Sequence, residues 1–236
     1  MKVLYFSKPD LVVCDTYALL DCMDKTLSLS LGTYLSKEET IGVYYIITLP
    51  NGDKGRILKS SVECIPTFIQ SCRSKTYLWR HKLLEYGTMM IGAPYLWGGR
   101  SFYKELSYSN FRSCDCSGLI SLLYRLIGVR IPRDAHDQYL STSLCEIEEL
   151  EMGDVFFLAK KTAMDLKVYH VLLYIGGEKL LEASSDFNHT VLEKSCLERF
   201  QVKKKQLRQG MWVKALDSQI FFGKLWDGHI SKNLFC

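Results

Sequence analysis

Asp115-Cys116-Ser117-Gly118, followed by apolar residues at helical spacing, is the most informative stretch of this chain. The apolar positions recur at intervals typical of a helix and are Leu119, Ile120, Leu122, Leu123, Leu126 and Ile127. Asp115 fits the N-cap of the predicted helix, and Gly128 fits its C-terminal cap. Cys116 then lies in the first turn, where unpaired backbone N–H groups and the helix dipole favour a thiolate over a thiol.

A histidine further along the chain supplies the group that such a thiolate needs. His170 lies within the run from Val168 to Ile175, which has the composition of a strand. A thiol on the first turn of a helix and an imidazole on a strand are the two groups that a cysteine hydrolase requires. The alternative is that Cys116 is a small buried residue and His170 a core histidine, so the flanking sequence has to decide.

Three further motifs flank this pair. The segment from Gly92 to Gly99 combines aromatic residues with glycine and proline, which predicts a tight loop lining a pocket. Ile131-Pro132-Arg133-Asp134-Ala135, with Gln138 after it, follows the predicted helix. The stretch from Glu151 to Phe157 predicts a turn that leads into a buried strand.

Taken in order, these motifs resemble those of the NlpC family of cell-wall peptidases, over about residues 77 to 196. The resemblance implies a compact papain-like α+β fold, with Cys116 as the nucleophile and His170 as its general base. It also implies a substrate, the stem peptides of peptidoglycan or their muropeptide fragments. The bond expected to be cut joins γ-D-glutamate to the diamino acid, meso-diaminopimelate.

The residue that orients His170 departs from the family pattern. Members of the family usually have a histidine at the start of the next strand, whereas this chain has Glu182 at the matching position. A carboxylate can accept the N–H of His170 and stabilise the imidazolium, so Glu182 is the expected third catalytic residue. His189 is the alternative if the alignment slips, and Glu182 is then an ordinary strand carboxylate.

Four residues are expected to bind the substrate or its transition state. Tyr95 matches the active-site tyrosine of the family, and its hydroxyl is expected to join the backbone N–H groups of the helix start in stabilising an oxyanion. Asp115 and Ser117 flank the nucleophile and resemble residues that hold the amino end of free stem peptides. Asp134 resembles family members that require a free N-terminal L-alanine, because its carboxylate can pair with an ammonium. The alternatives are a packing role for Tyr95 and a helix cap at Asp134.

Outside the peptidase motifs, the chain divides into three further segments. Residues 1–65 contain short apolar runs and an Asn51-Gly52 hairpin signal, and they resemble a small all-β bacterial SH3-type barrel. Such a barrel binds wall glycan, narrows the substrate channel or serves a structural role. Residues 66–76 are expected to be a linker, 77–217 the papain-like domain, and 218–236 an apolar C-terminal tail packed on the body.

Composition excludes some classes of function and leaves others open. The net charge of +4 is modest, so no nucleic-acid partner is expected, and no transmembrane segment is found. Nine cysteines without a recognisable leader indicate reduced thiols and a cytoplasmic protein, the alternative being an exported protein whose leader is absent from this chain. No cofactor or metal is expected, since Cys114 and Cys116 lack the second cysteine pair of a zinc site. A non-catalytic wall-binding protein and an amidase or acyltransferase remain alternatives, and the oligomeric state is open.

Overall fold

The computed structural model shows an α+β protein in two parts. It describes residues 11–13, 19–22, 25–29, 32–49, 54–64, 78–103, 112–127, 129–162, 165–186 and 190–225. The α+β fold class is therefore as the sequence predicts. His189, Gly128 and the Asn51-Gly52 turn lie outside the described residues.

The N-terminal part is an antiparallel sheet. Its described strands are β1 (Leu11–Val13), β2 (Leu19–Cys22), β3 (Thr26–Ser28), β4 (Tyr34–Ile41), β5 (Tyr44–Thr48), β6 (Lys54–Leu58) and β7 (Val62–Cys64). They are hydrogen-bonded in the order β3-β2-β6-β5-β4-β1-β7. Their inward side chains form a separate apolar core that includes Leu11, Leu20, Leu35, Ile47 and Ile57. The short strands predicted for this region are confirmed, and its assignment as an SH3-type barrel stays a prediction.

The C-terminal part combines helices with a second antiparallel sheet. Its helices are α1 (Leu78–Met89), α2 (Cys116–Leu126), α3 (Ala135–Leu140) and α4 (Cys196–Phe200). Its strands are β8 (Arg100–Tyr103), β9 (Arg112–Cys114), β10 (Ser143–Leu144), β11 (Val155–Lys161), β12 (Leu166–Gly176), β13 (Lys179–Ser184), β14 (Thr190–Ser195), β15 (Met211–Val213) and β16 (Ser218–Lys224). The large sheet has the order β10-β16-β11-β12-β13-β14, β15 pairs with β16, and β8 and β9 form a separate hairpin.

Helix α2 begins where the sequence predicts. Asp115 is its N-cap, in an extended backbone conformation, and the side chain accepts a 2.7 Å hydrogen bond from the N–H of Gly118. The apolar face of α2 packs on β12 and β13, so that Leu119, Leu122 and Leu123 are almost fully buried. Burial of this face fixes Cys116, the first residue of the helix, at a set place above the sheet.

The segment expected to be a C-terminal tail differs from the prediction. Its described part, Ser218–Lys224, is an interior strand of the large sheet and pairs with β11 from Val155 opposite Gly223 to Ala159 opposite Gln219. Phe222 and Ile220 are fully buried in this strand. Their apolar character reflects strand burial within the sheet, and not an appendage resting on its surface.

The two parts of the chain touch at helix α2 and helix α1. The hydroxyl of Tyr34 in β4 donates a hydrogen bond to the carbonyl of Arg125 in the last turn of α2. Glu63 in β7 accepts a 3.3 Å hydrogen bond from Tyr86 of α1 and forms a 3.5 Å ion pair with Lys82. Helix α1 therefore contacts the N-terminal sheet through two of its side chains.

Candidate active site

Cys116 and His170 are brought together, as the sequence predicts. Cys116 begins α2, His170 lies within β12, and a hydrogen bond joins the thiol to the imidazole. The backbone N–H of Val171 also hydrogen-bonds to the sulfur. Both side chains are nearly buried, with residue exposures of 7% for Cys116 and 9% for His170. The pair is thus a thiol and a base in direct contact, shielded from bulk water.

Glu182 lies on the other side of the imidazole. Its Oε2 is 2.9 Å from Nε2 of His170, which leaves Nδ1 of the ring for Cys116. The register of β12 and β13 explains this contact: Leu173 is opposite Leu181, so His170 and Glu182 are diagonal neighbours on one face of the sheet. Glu182 is only 1% exposed. The chain therefore contains a continuous line from Cys116 through His170 to Glu182.

A buried arginine contacts the far side of Glu182, and the sequence does not predict this contact. Arg199 in α4 places its Nε 3.0 Å from Oε1 and 3.1 Å from Oε2 of Glu182. The charged part of its side chain is also 3.6 Å from Asp186. Nothing in the local sequence signals this contact, because Arg199 follows Glu182 by 17 residues and belongs to a separate short helix.

The protonation states follow from these contacts. Burial by itself raises the pKa of the Cys116 thiol, but the hydrogen bond and charge of His170 outweigh it, so that the pKa falls below its usual value. Burial disfavours the imidazolium, yet the contacts with Cys116 and Glu182 raise the pKa of His170 to about 9. Burial also opposes ionisation of Glu182, but His170 and Arg199 hold the pKa of its carboxyl below the usual range. The site thus favours a thiolate, an imidazolium and a carboxylate.

Two glycines allow the loop from Gly92 to Gly99 to lie directly on the start of α2. A Cβ on Gly118 would lie 2.2 Å from the carbonyl oxygen of Gly99, and a Cβ on Gly99 would lie 2.3 Å from the carbonyl oxygen of Ser113. No other residue fits at either place without moving backbone. The loop is further held by the N–H of Leu96, which donates to the carbonyl of Cys114. These approaches bring the loop that carries Tyr95 close to Cys116.

Asp115 and Ser117 form an internal network with Arg133. Asp115 accepts hydrogen bonds from the N–H of Gly118 at 2.7 Å, the N–H of Gly98 at 2.9 Å and the guanidinium of Arg133 at 2.6 Å. Arg133 also donates a 2.7 Å hydrogen bond to the hydroxyl of Ser117. Both residues that the sequence assigned to the substrate's amino end are therefore buried and already bonded within the protein. Arg133, to which the sequence alone assigns no role, is bonded to both residues and directly precedes Asp134.

Asp134 and Tyr95 lie at the accessible part of the site. Asp134 precedes α3, but its side chain makes no capping hydrogen bond and is 76% exposed, which disagrees with a capping role. Tyr95 is within electrostatic range of Cys116, Asp115, Arg133 and Asp186. Burial and the nearby negative charges raise the pKa of its hydroxyl to about 12, so Tyr95 keeps its proton and remains a hydrogen-bond donor.

Two further motif residues are fully buried and join neighbouring elements of the C-terminal part. Gln138 of α3 is fully buried and donates to the carbonyls of Ser117 and Pro132 and to the hydroxyl of Ser121, which ties α3 to α2. Asp154, in the turn directly before β11, is fully buried and forms a 2.8 Å ion pair with Arg80 of α1. These residues explain why the flanking motifs contain polar side chains inside apolar segments.

Within the described ranges, no group of three His, Cys, Asp or Glu side chains is arranged to hold a metal ion. The six cysteines in those ranges, Cys116 among them, have free thiols. None of the described helices is long and apolar enough to cross a membrane.

A family model gives this arrangement its place among known proteins. The model described as the NlpC/P60 family matches residues 92–218, from the loop that carries Tyr95 to the first residue of β16. The chain belongs to the NlpC/P60 family. Cys116, His170, Glu182 and Arg199 all lie inside the matched region.

Individual members of the NlpC/P60 family show the same relationship. The chain is 31% identical over 161 residues to a gamma-D-glutamyl-L-lysine dipeptidyl-peptidase from Bacillus cereus, a match that covers 67% of this chain and 44% of the relative. A protein of the same name from Bacillus subtilis is 33% identical over 101 residues, covering 43% of this chain and 31% of the relative. A solved NlpC/P60 family protein from Bacillus cereus superposes with a TM-score of 0.65 at 26% identity, over 79% of this chain and 58% of that one. The chain thus spans less than half the length of these two curated relatives.

Proposed function

We propose that this protein is a cysteine peptidase that hydrolyses peptidoglycan stem peptides at the γ-D-glutamyl–diamino acid bond. The observation that carries the proposal is the buried line from Cys116 through His170 to Glu182, with 2.9 Å between His170 Nε2 and Glu182 Oε2. The names of the Bacillus cereus and Bacillus subtilis relatives support the same bond, with L-lysine as the diamino acid. A complete catalytic line disfavours the alternative of a non-catalytic wall-binding protein.

The chemistry follows from the protonation states of the line. The Cys116 thiolate attacks the carbonyl carbon of the γ-D-glutamyl amide, forming a carbon–sulfur bond and a tetrahedral oxyanion. Backbone N–H groups at the start of α2 and the Tyr95 hydroxyl are the proposed donors to that oxyanion. As the oxyanion collapses, the carbon–nitrogen bond breaks and the His170 imidazolium protonates the leaving amine. The neutral imidazole next deprotonates a water that attacks the thioester, and the carbon–sulfur bond breaks to release the acid and the Cys116 thiolate. Glu182 holds the ring in the required orientation throughout.

The exposed carboxylate of Asp134 favours substrates with a free N-terminal L-alanine. An α-ammonium can pair with Asp134, whereas an acylated amine inside intact wall cannot. Asp115 and Ser117 contribute by bonding Arg133, which holds the turn before Asp134 in place. We propose that this arrangement selects short peptides over intact peptidoglycan.

The N-terminal sheet has a structural role in this proposal, as an SH3-type unit held against the catalytic part. Its contacts with α2, through Tyr34 and Arg125, support an influence on the nucleophile helix. Wall-glycan binding is the alternative role, and binding of the protein to purified glycan strands would favour it.

Digestion of free tripeptides tests the proposed bond. The substrates are L-Ala-γ-D-Glu-meso-diaminopimelate and L-Ala-γ-D-Glu-L-Lys, and products are identified by mass spectrometry. We expect the dipeptide L-Ala-γ-D-Glu and the free diamino acid from at least one tripeptide. Release of free alanine, or no cleavage of either peptide, would contradict the proposal. Transfer of the dipeptide to an added amine in preference to water would instead favour the acyltransferase alternative.

A further inference from the structure

Arg199 is fixed behind Glu182 by the short helix that carries it. Ser195 caps α4, accepting a 3.1 Å hydrogen bond from the N–H of Glu198, while the Glu198 carboxylate accepts a 2.7 Å hydrogen bond from the N–H of Ser195. This reciprocal capping box fixes the start of the helix. The Arg199 side chain is 5% exposed, against 1% for that of Glu182, and its Nε is 3.0 Å from Oε1 and 3.1 Å from Oε2. The two charges form a buried ion pair directly adjoining the imidazole.

The buried Glu182 carboxylate needs a cation that stays charged when His170 is neutral. Removing an ionised carboxylate from water is costly unless it is paired, and an unpaired one takes up a proton instead. A protonated Glu182 would donate its hydrogen to Nε2 of His170 and so place the ring's own proton on Nδ1. That tautomer cannot accept the proton of Cys116. The charge of Glu182 therefore decides whether His170 can serve as the base.

We propose that Arg199 is a positioning residue of this active site, which keeps the Glu182 carboxylate ionised and directed at His170. It does not touch the reacting atoms and acts through Glu182. This inference deepens the proposed function and rests on it for the identity of the catalytic line.

The pH-dependent behaviour of the line has contributions from several neighbouring groups. The charged or titratable groups facing it are Cys116 and Asp115 at the start of α2, Tyr95 in the loop before β8, Arg133 before α3, Asp186 after β13, and Glu182 and Arg199 themselves. Removing the charge of Arg199 takes away the cation in contact with Glu182 and makes the surroundings of the line more negative. Every acid in the line then holds its proton to higher pH.

The first test measures the alkylation rate of Cys116 by iodoacetamide as a function of pH, with the Cys116 peptide quantified by mass spectrometry. This readout requires no cleavable substrate, so it stands even if the proposed function fails. We expect Arg199→Met to move the acid limb of the profile to higher pH by about one unit or more. Arg199→Lys keeps the charge, so its acid limb is expected to lie close to the wild-type position. Arg208→Met, at an exposed arginine after α4, is the matched control and should reproduce the wild-type profile.

The second test asks whether Glu182 and Arg199 act as one unit. Glu182→Gln removes the buried carboxylate that Arg199 contacts, and Arg199→Met removes the permanent cation beside Glu182, so each single change is expected to lower kcat for tripeptide cleavage roughly 100-fold. The double variant removes both charges and keeps an amide that can accept from His170. We expect it to be roughly tenfold more active than Arg199→Met, because it no longer buries a Glu182 carboxylate that lacks its arginine partner.

A packing role for Arg199 predicts different results. In that case Arg199→Met would lower the thermal midpoint while leaving the acid limb of alkylation in place, and the double variant would be no more active than Arg199→Met. Either result overturns the proposal. If Arg199→Met does not fold, Arg199→Lys and the double variant are compared instead. A role through charge is contradicted if the acid limb keeps its wild-type position in the double variant but moves in Arg199→Lys.

Discussion

Cys116 and His170 each stabilise the charged form of the other. The imidazolium lowers the pKa of the thiol despite burial, and the thiolate and Glu182 together raise the pKa of His170 to about 9. The ion pair therefore exists between the lowered pKa of Cys116 and the raised pKa of His170. Above that range the thiolate persists, but the imidazole can no longer protonate the leaving amine.

The first prediction concerns the pH dependence of cleavage. We expect kcat/KM for the tripeptide to fall as pH rises through about 9, because His170 loses its proton there. Iodoacetamide alkylation of Cys116 should not fall over the same range, since it needs the thiolate alone. His170→Gln should move alkylation to higher pH, because burial of Cys116 is then no longer opposed by an imidazolium. An alkylation profile of His170→Gln equal to that of the wild type would contradict the ion pair.

The second prediction concerns the free amine of the substrate. Asp134→Asn removes the exposed carboxylate next to Arg133 and should raise KM for the free tripeptide about tenfold with kcat little changed, as expected for loss of one charge-assisted hydrogen bond. The N-acetylated tripeptide should be a poor substrate for the wild type. Steady-state kinetics on both peptides measure the effect, with Asp137→Asn in α3 as the matched control. Equal wild-type rates on free and acetylated peptide would exclude this role.

At the level of elements, the loop before β8 and the start of α2 depend on two glycines. The carbonyl of Gly99 occupies the space that a Cβ of Gly118 would take, at a separation of 2.2 Å. At Gly87 in α1, by contrast, the nearest atom to a Cβ is the end of the Leu181 side chain, at 2.8 Å. A side-chain terminus can move aside more easily than backbone.

The third prediction uses this contrast. Gly118→Ala should lower the free energy of unfolding by about 2 kcal/mol and slow cleavage, because the loop bearing Tyr95 is pushed away from Cys116. Gly87→Ala is also a glycine-to-alanine change within a helix, which raises helix propensity by roughly 1 kcal/mol. It should leave the alkylation of Cys116 unchanged. Urea denaturation and iodoacetamide kinetics on both variants measure the difference. If the two substitutions behave alike, the close approach has no role in positioning the loop.

Local pattern was sufficient to predict the elements that carry the nucleophile and the base. The apolar spacing after Asp115 predicts α2, and the run around His170 predicts β12. The roles of Arg199 and Arg133 do not follow from the sequence, because each contacts a carboxylate 17 or 18 residues away in the chain. Arg133 lies in a recognisable motif, but the motif does not indicate its partner. The sequence predicts a tail at β16 for a similar reason. Its partner β11 lies far earlier in the chain, Val155 being opposite Gly223, and local sequence does not indicate such long-range strand pairing.

For the whole molecule, the fold class followed from the order of motifs, whereas the relation between the two parts did not. The contact of Tyr34 with the last turn of α2 depends on the shapes of two separately folded surfaces. Gly32 lies against the same helix, where an added Cβ would be 2.9 Å from Leu122 Cδ1. No periodicity or motif in either segment encodes that juxtaposition.

The fourth prediction tests this contact. Tyr34→Phe removes the hydroxyl that bonds the carbonyl of Arg125 and should lower the free energy of unfolding by about 1 kcal/mol. Tyr45→Phe, in the neighbouring strand β5, is the matched control and should lower the free energy of unfolding by less. Denaturation followed by circular dichroism compares the two. Equal stabilities of the two variants would mean that the hydrogen bond does not join the parts of the chain.

The most direct measurement compares wild type and Cys116→Ala in releasing L-Ala-γ-D-Glu from the free tripeptides, with equal folding of the two proteins verified by their thermal midpoints. We expect dipeptide release by the wild type and a loss of about 1,000-fold or more in the variant, because the proposed hydrolysis requires attack by the Cys116 thiolate. Cleavage by Cys116→Ala at the wild-type rate, or a wild-type protein inert toward both tripeptides, would contradict a peptidase built on Cys116, His170 and Glu182.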